Sequence, residues 1–134
     1  MGIALSIAAS GMAAAALRLQ VSAGNVANAL SFGPLPTATD AQGFPPAYTP
    51  LRVDQTDVVG GGMIGTVGTI LPSYVPIYDP MAPYADNSGL VAAPNVDLVS
   101  ALVEQMLARY AFAANAKVAS IDSQMTGSFL DITM

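Results

Sequence analysis

Residues 96–132 read VDLVSALVEQMLARYAFAANAKVASIDSQMTGSFLDI, and this stretch decides the fold. It holds no proline, the residue that breaks helix interiors. Val96, Val99, Val103, Leu107, Tyr110, Ala114, Val118, Ile121, Met125, Phe129 and Ile132 recur at spacings of 3, 4 and 4. That repeat is about 3.67 residues per turn, the period of a straight or slightly right-handed packing seam. A helix of this length spans roughly 55 Å. Patterns longer than about 25 residues belong to coiled coils or helical assemblies. Behind Pro94, Asn95 is the expected N-cap, and Asp97 in the first turn suits the helix dipole. The other face carries Glu104, Arg109, Lys117 and Asp122 among many alanines, with no i,i+4 ion pair. A solvated long helix usually has several such pairs, so small residues here predict burial among neighbouring helices.

Outward from this helix, proline divides the chain. All ten prolines lie from Pro34 to Pro94, and eight of the twelve glycines from Gly33 to Gly89. Three parts follow: an N-terminal helix within 1–32, a Pro/Gly-rich region of loops and short strands at 33–94, and a C-terminal helix within 95–134. In the first part, from about Ile3 to Asn28, Leu5, Met12, Ala16, Leu19, Ala23, Val26 and Leu30 follow a heptad rhythm. Gly11 and Gly24 weaken that helix by about 1 kcal/mol each and allow close approach of another backbone. In the middle, Leu51 to Asp57 and Thr66 to Leu71 have strand character, with Gly60–Gly62 as the turn between them. The expected fold is mainly α with a small β-rich middle. Its two long terminal helices pack as a coiled-coil-like pair.

Composition narrows the function. Of 134 residues 53% are hydrophobic but only 10% charged, where about 25% is usual. Thirteen charges cannot cover a compact monomer, so much of the surface is fit for burial against partners. The net charge is −5, and the four cations Arg18, Arg52, Arg109 and Lys117 are scattered. Nucleic-acid binding, which needs clustered cations, is excluded. Without Cys or His there is no thiolate, no Ser-His triad and no zinc site of the usual kind. The uncharged stretch Ile3–Leu17 is shorter than the roughly 20 apolar residues of a membrane span, and it lacks the basic start of a secretory signal.

The remaining motifs read as structure. Gly60-Gly61-Gly62-Met63-Ile64-Gly65 fits G-x-G-x-x-G, but Gly68, Pro72 and Pro76 argue against the helix a phosphate loop must open. Asp54, Asp57, Asp79 and Asp86 lie among turn residues without calcium-loop spacing. Asn25, Asn28 and Asn115 have two readings: helix capping and local turns, or fixing the register of packed helices.

Several motifs then carry a family resemblance. Asn25-Val26-Ala27-Asn28-Ala29 resembles the N-x-A-N-A end of the first helix in flagellar rod and hook proteins. Tyr78-Asp79-Pro80, Ala85-Asp86 and Pro94-Asn95-Val96-Asp97 resemble the stretch before the last helix in proximal rod proteins. Met106, Arg109-Tyr110 and Ala114-Asn115 are similar to their C-terminal helix, though the Arg and Tyr are here adjacent.

The resemblance implies a structural, non-enzymatic subunit of the bacterial flagellar basal-body rod, exported without a cleaved signal and located in the periplasmic section. It implies no cofactor, no metal, no nucleic acid and no small-molecule substrate. The implied partners are other rod subunits, copies of itself and the flagellar export apparatus. The expected assembly interface is Leu5, Met12, Leu19, Asn25, Val26 and Asn28 of the first helix. From the second it takes Asn95, Val99, Val103, Leu107, Tyr110, Asn115, Val118, Ile121, Met125, Phe129 and Ile132. The rival reading is a membrane-associated or secreted envelope helix protein.

Overall fold

The structure is a computed structural model that describes residues 2–38 and 43–132, without the side chains of Leu130 and Ile132. Two long helices run antiparallel; one short β-hairpin packs on the first of them, and a second hairpin is tied to the chain that follows that helix. Helix α1 spans Ile3–Ala27 and helix α2 spans Leu98–Ile132. Between them lie β1 (Leu51–Asp57), β2 (Met63–Thr69), β3 (Tyr74–Tyr78) and β4 (Leu90–Pro94).

Small residues form the join between the helices. Ala8, Ala15 and Ala108 are almost fully buried, and Ala101, Ala111 and Ala119 line the same side of α2. A Cβ on Gly11 would come within 2.7 Å of the Asn115 amide, so any larger residue here must displace that side chain. The pairing is staggered along both helices: Gly2 beside Asp122, Gly11 beside Asn115, Arg18 beside Glu104, Ser22 beside Ala101. The large-apolar stripe of α2 therefore does not face α1. Alanine packs there because it lets two helix backbones come close at no side-chain entropy cost.

A second side of α1 carries the β1–β2 hairpin. The strands pair antiparallel with Val53 opposite Val67. Gly65 sits over Leu17 and Ala14, and the Met63 N–H donates to Ser10 Oγ at 3.3 Å. Gly60, Gly61 and Gly62 turn the chain with φ near +100°, +96° and +97°, a region that L side chains rarely adopt. This triplet is a hairpin turn, and no helix follows it. The second strand starts at Met63 rather than Thr66, because the turn closes early, through a bond from Val58 N–H to Gly62 O.

The β3–β4 hairpin was not expected from the sequence. Pro76 in β3 breaks the strand pattern. Its partner β4 nevertheless contains the most buried large side chain among the described residues, Val91, followed by buried Ala92 and Ala93. A bridge between Gly33 and Ala92 ties the chain after α1 to this strand. Helix α1 is long and apolar enough to cross a membrane by length and composition, beyond the 15-residue uncharged stretch alone. In the fold two of its sides are covered by protein.

Candidate assembly interface

The α2 stripe is presented to solvent along the helix. Val99 is 72% exposed, Tyr110 70% and Phe129 66%, while Ala108 on the inner side is 1% exposed. Val103, Leu107, Val118, Ile121 and Met125 are each about half exposed. Ile132 closes the helix, and its side chain lies outside the described residues. The expected interface leaves out Leu102 and Met106, which widen this apolar face beyond the stripe. Their signal was present as large apolar residues at positions the 3-4-4 count skips. Covering half of such a side chain is worth about 1 kcal/mol. No single residue decides association, and only a long seam offsets its cost of several kcal/mol.

On α1 the heptad residues Leu5, Met12, Leu19 and Val26 are half-buried along the edge of the helix pair. They form a second apolar row, on α1, whose surface is only partly used inside the subunit.

The asparagines work inside the chain. Asn25 is buried, and its side chain behaves like a strand partner for Leu51. Nδ2 donates to Leu51 O at 2.7 Å, and Oδ1 accepts from Leu51 N–H at 3.0 Å and from Tyr48 O–H at 3.0 Å. Burial pushes the Tyr48 phenol above its ordinary pKa. Asn28 caps α1, with Nδ2 donating to Gly24 O at 2.9 Å. Asn115 donates to Ala111 O one turn back.

Asn95 is not the N-cap of α2. Its Nδ2 donates to Pro72 O at 2.8 Å and its N–H to Ser73 O at 3.0 Å, which extends the β3–β4 pairing. Asp97 takes the capping role instead. Its carboxylate accepts from Val99 N–H at 3.0 Å and Ser100 Oγ at 2.5 Å, and these bonds, Ser100's first, hold its pKa below the ordinary Asp value. The helix starts at Leu98 because the cap stands two residues later than the sequence pattern placed it.

One charged pair crosses the helix join. Arg18 meets Glu104 in a two-pronged contact, Nε–Oε1 at 2.5 Å and Nη2–Oε2 at 2.9 Å. The hydrogen bond to Glu104 raises the Arg18 pKa above its ordinary value, against the lowering effect of burial. Sequence reading put Glu104 on a face apart and did not connect it to Arg18, 86 positions earlier. Two of the four acidic residues of the middle close turns: Asp86 Oδ1 accepts from Ser88 and Leu90 N–H, both at 2.8 Å, and Asp79 Oδ1 from Met81 N–H, whereas Asp54 and Asp57 are strand residues of β1, because the chain stays extended up to the glycine turn.

Known proteins resemble this chain over most of its length. The family model described as Flagellar basal body rod FlgEFG protein C-terminal matches residues 87–132. The flagellar basal-body rod protein FlgC of Salmonella typhimurium is 36% identical over 115 residues, which covers 84% of this chain and 82% of that protein. FlgC of Aquifex aeolicus is 33% identical over 125 residues, 91% of this chain and 89% of the relative. FlgC of Agrobacterium fabrum is 28% identical over 129 residues, 96% and 92% of the two chains.

Proposed function

Because the chain belongs to the FlgC family of flagellar basal-body rod proteins, we propose that its exposed helical ridges are the joints of the rod. The chain is a structural subunit of the flagellar basal body. In the reading proposed here it has no catalytic role and stands in the periplasm-crossing section of the rod. It reaches that place through the flagellar export apparatus. Val99, Val103, Leu107, Tyr110, Val118, Ile121, Met125, Phe129 and Ile132 of α2 pack against neighbouring rod subunits, copies of itself among them. Leu5, Met12, Leu19 and Val26 of α1 supply the second ridge. Asn25, Asn28, Asn95 and Asn115 hold the subunit in the shape that presents both.

The observation that carries this reading is the division of α2 into two faces. The alanine face is spent on α1, and the face with the large side chains is left uncovered. A monomer gains nothing from that arrangement, whereas a shaft built from interlocking helices does. Contacts between unlike faces propagate as open helical assemblies and so suit a torque-transmitting rod.

The double variant Val103→Asp with Leu107→Asp tests it. Both side chains are about half exposed, so the isolated chain keeps its helicity and melting temperature within a few degrees. In cells the variant is made and exported but yields no complete rod and no swimming. A swimming strain with complete rods built from this variant removes the α2 stripe from the interface.

A further inference from the structure

We propose that the open edge of β1 is a strand-addition site for the β2 edge of a second copy of this chain, so that the first hairpins of neighbouring subunits join into one antiparallel sheet. This rests on the rod-subunit reading above and adds a lateral joint made by the middle of the chain, apart from the helical ridges.

The hydrogen-bond phase of the hairpin decides which groups are on offer. Val58 N–H donates to Gly62 O and Ile70 N–H to Pro50 O, so the even-numbered residues of β1 and β2 bond to each other. The odd-numbered residues turn their N–H and C=O outward. Helix α1 crosses beneath the hairpin from one edge to the other and meets some of these groups. Asn25 takes both outward groups of Leu51 on the β1 edge, and Ser10 Oγ takes the outward Met63 N–H on the β2 edge. Further along, the helix no longer lies against either edge. Among the described residues, the outward groups of Val53 and Gln55 on β1, and of Gly65, Val67 and Thr69 on β2, have no hydrogen-bond partner.

The groove beside β1 selects the kind of strand. Its volume is about 610 Å³, and Val21, Val53, Ile70 and Val96 give it apolar walls. The charged groups on its lining are already paired: Arg18 with Glu104, Arg52 with Asp54, and Asp97 with the start of its own helix. What stays unpaired is backbone, and that favours an uncharged extended segment over a charged one. Strand β2, MIGTVGT, is such a segment. It lacks the charges and prolines that usually blunt an exposed edge. In a joined sheet its odd-numbered residues fall on the groove side. Val67, 50% exposed in the single subunit, is covered there.

A subunit does not fill its own site, because its β2 already occupies the other side of β1. Donor edge and acceptor edge therefore stand on one chain and face opposite ways. Joining unlike edges leaves a free edge at each end of the pair, so the contact repeats from copy to copy. In such a sheet β1 of one subunit lies about 4.8 Å from β2 of the next. Asn25 marks where the added strand stops, since its side-chain amide already fills the place of a partner residue at Leu51.

The chain has no cysteine, so a disulfide scan tests the joint cleanly. Two full-length copies are expressed together in flagellated cells that lack the native gene. One carries Thr56→Cys, and the other carries Ile64→Cys or Thr66→Cys, all at exposed positions. Basal bodies are purified, oxidised and run on a non-reducing gel. The expected product is a disulfide-linked dimer of the two differently substituted copies in one of the two pairings, and none from Thr56→Cys alone. Adding Gln55→Pro to the Thr56→Cys copy removes an outward N–H that the hairpin itself does not use. The isolated chain then keeps its melting temperature within a few degrees, while the dimer yield falls about tenfold or more. Gln55→Ala, which keeps that N–H, retains the dimer. Basal bodies that contain both copies with no dimer in either pairing overturn the joined sheet and leave the rod reading intact. So does a dimer yield that Gln55→Pro leaves unchanged. A chain absent from the purified basal bodies defeats both.

Discussion

Asn25 holds the strand layer to α1, and its replacement by Ala measures that attachment. Three hydrogen bonds are lost, at 2.7, 3.0 and 3.0 Å, with both backbone polar groups of Leu51 among the partners. At about 1 kcal/mol net each, the loss is roughly 3 kcal/mol. Ala returns about 0.6 kcal/mol through its higher helix propensity, leaving a net destabilisation of roughly 2–2.5 kcal/mol. Whole domains have only about 5–15 kcal/mol to lose. With a urea slope of about 2 kcal/mol per molar, the unfolding midpoint of the purified chain falls by roughly 1 M. Circular dichroism of the helices follows the transition. Asn25→Asp keeps the shape and the two accepted bonds but sets a carboxylate oxygen against Leu51 O, so it is destabilised as well. A midpoint unchanged within about 0.2 M for either variant refutes the role assigned to this side chain.

Other consequences are equally open to measurement. Gly11→Val drives a side chain into Asn115 and separates the helices, lowering stability by about 1–3 kcal/mol, and Asn115→Ala in the same chain recovers part of it in a thermal melt. A double-mutant cycle on Arg18→Leu and Glu104→Leu gives a coupling of about 1 kcal/mol, modest because the Glu104 side chain is 37% exposed and screened by solvent. The Asp97 pKa is depressed in the fold, so its cap is fully formed at neutral pH and fades only as pH falls below about 4. In Asp97→Asn, that acid-side loss of helicity in the first turns of α2 is smaller, as read by amide exchange at Val99 and Ala101.

The helices were legible because proline is confined to the middle and the α2 repeat runs without interruption. Their mutual faces were legible only in part: the alanine-rich side of α2 reads as a burying face, but the matching face of α1 does not stand out. Large apolar side chains dominate any periodicity, yet Ala8, Ala15 and Ala108 make the join and the large residues point away. Alanine sits on every side of α1, so its pattern does not single out the packed face there. The first hairpin was visible from its glycine turn, with β2 misplaced by three residues because that turn is tighter than the sequence reading allowed. The second hairpin was hidden by Pro76 and by the long connection from Asp79 to Gly89. The role of Asn25 had no local signal at all, since its partners Tyr48 and Leu51 arrive from beyond the helix. Glu104 likewise finds Arg18 only through the antiparallel stagger.

The central claim is that this chain is a structural part of the rod. Deleting its gene and imaging purified basal bodies by electron microscopy tests that most directly. The account predicts loss of complete rods, restored when the intact gene is returned. Normal rods in the deletion strain would contradict it.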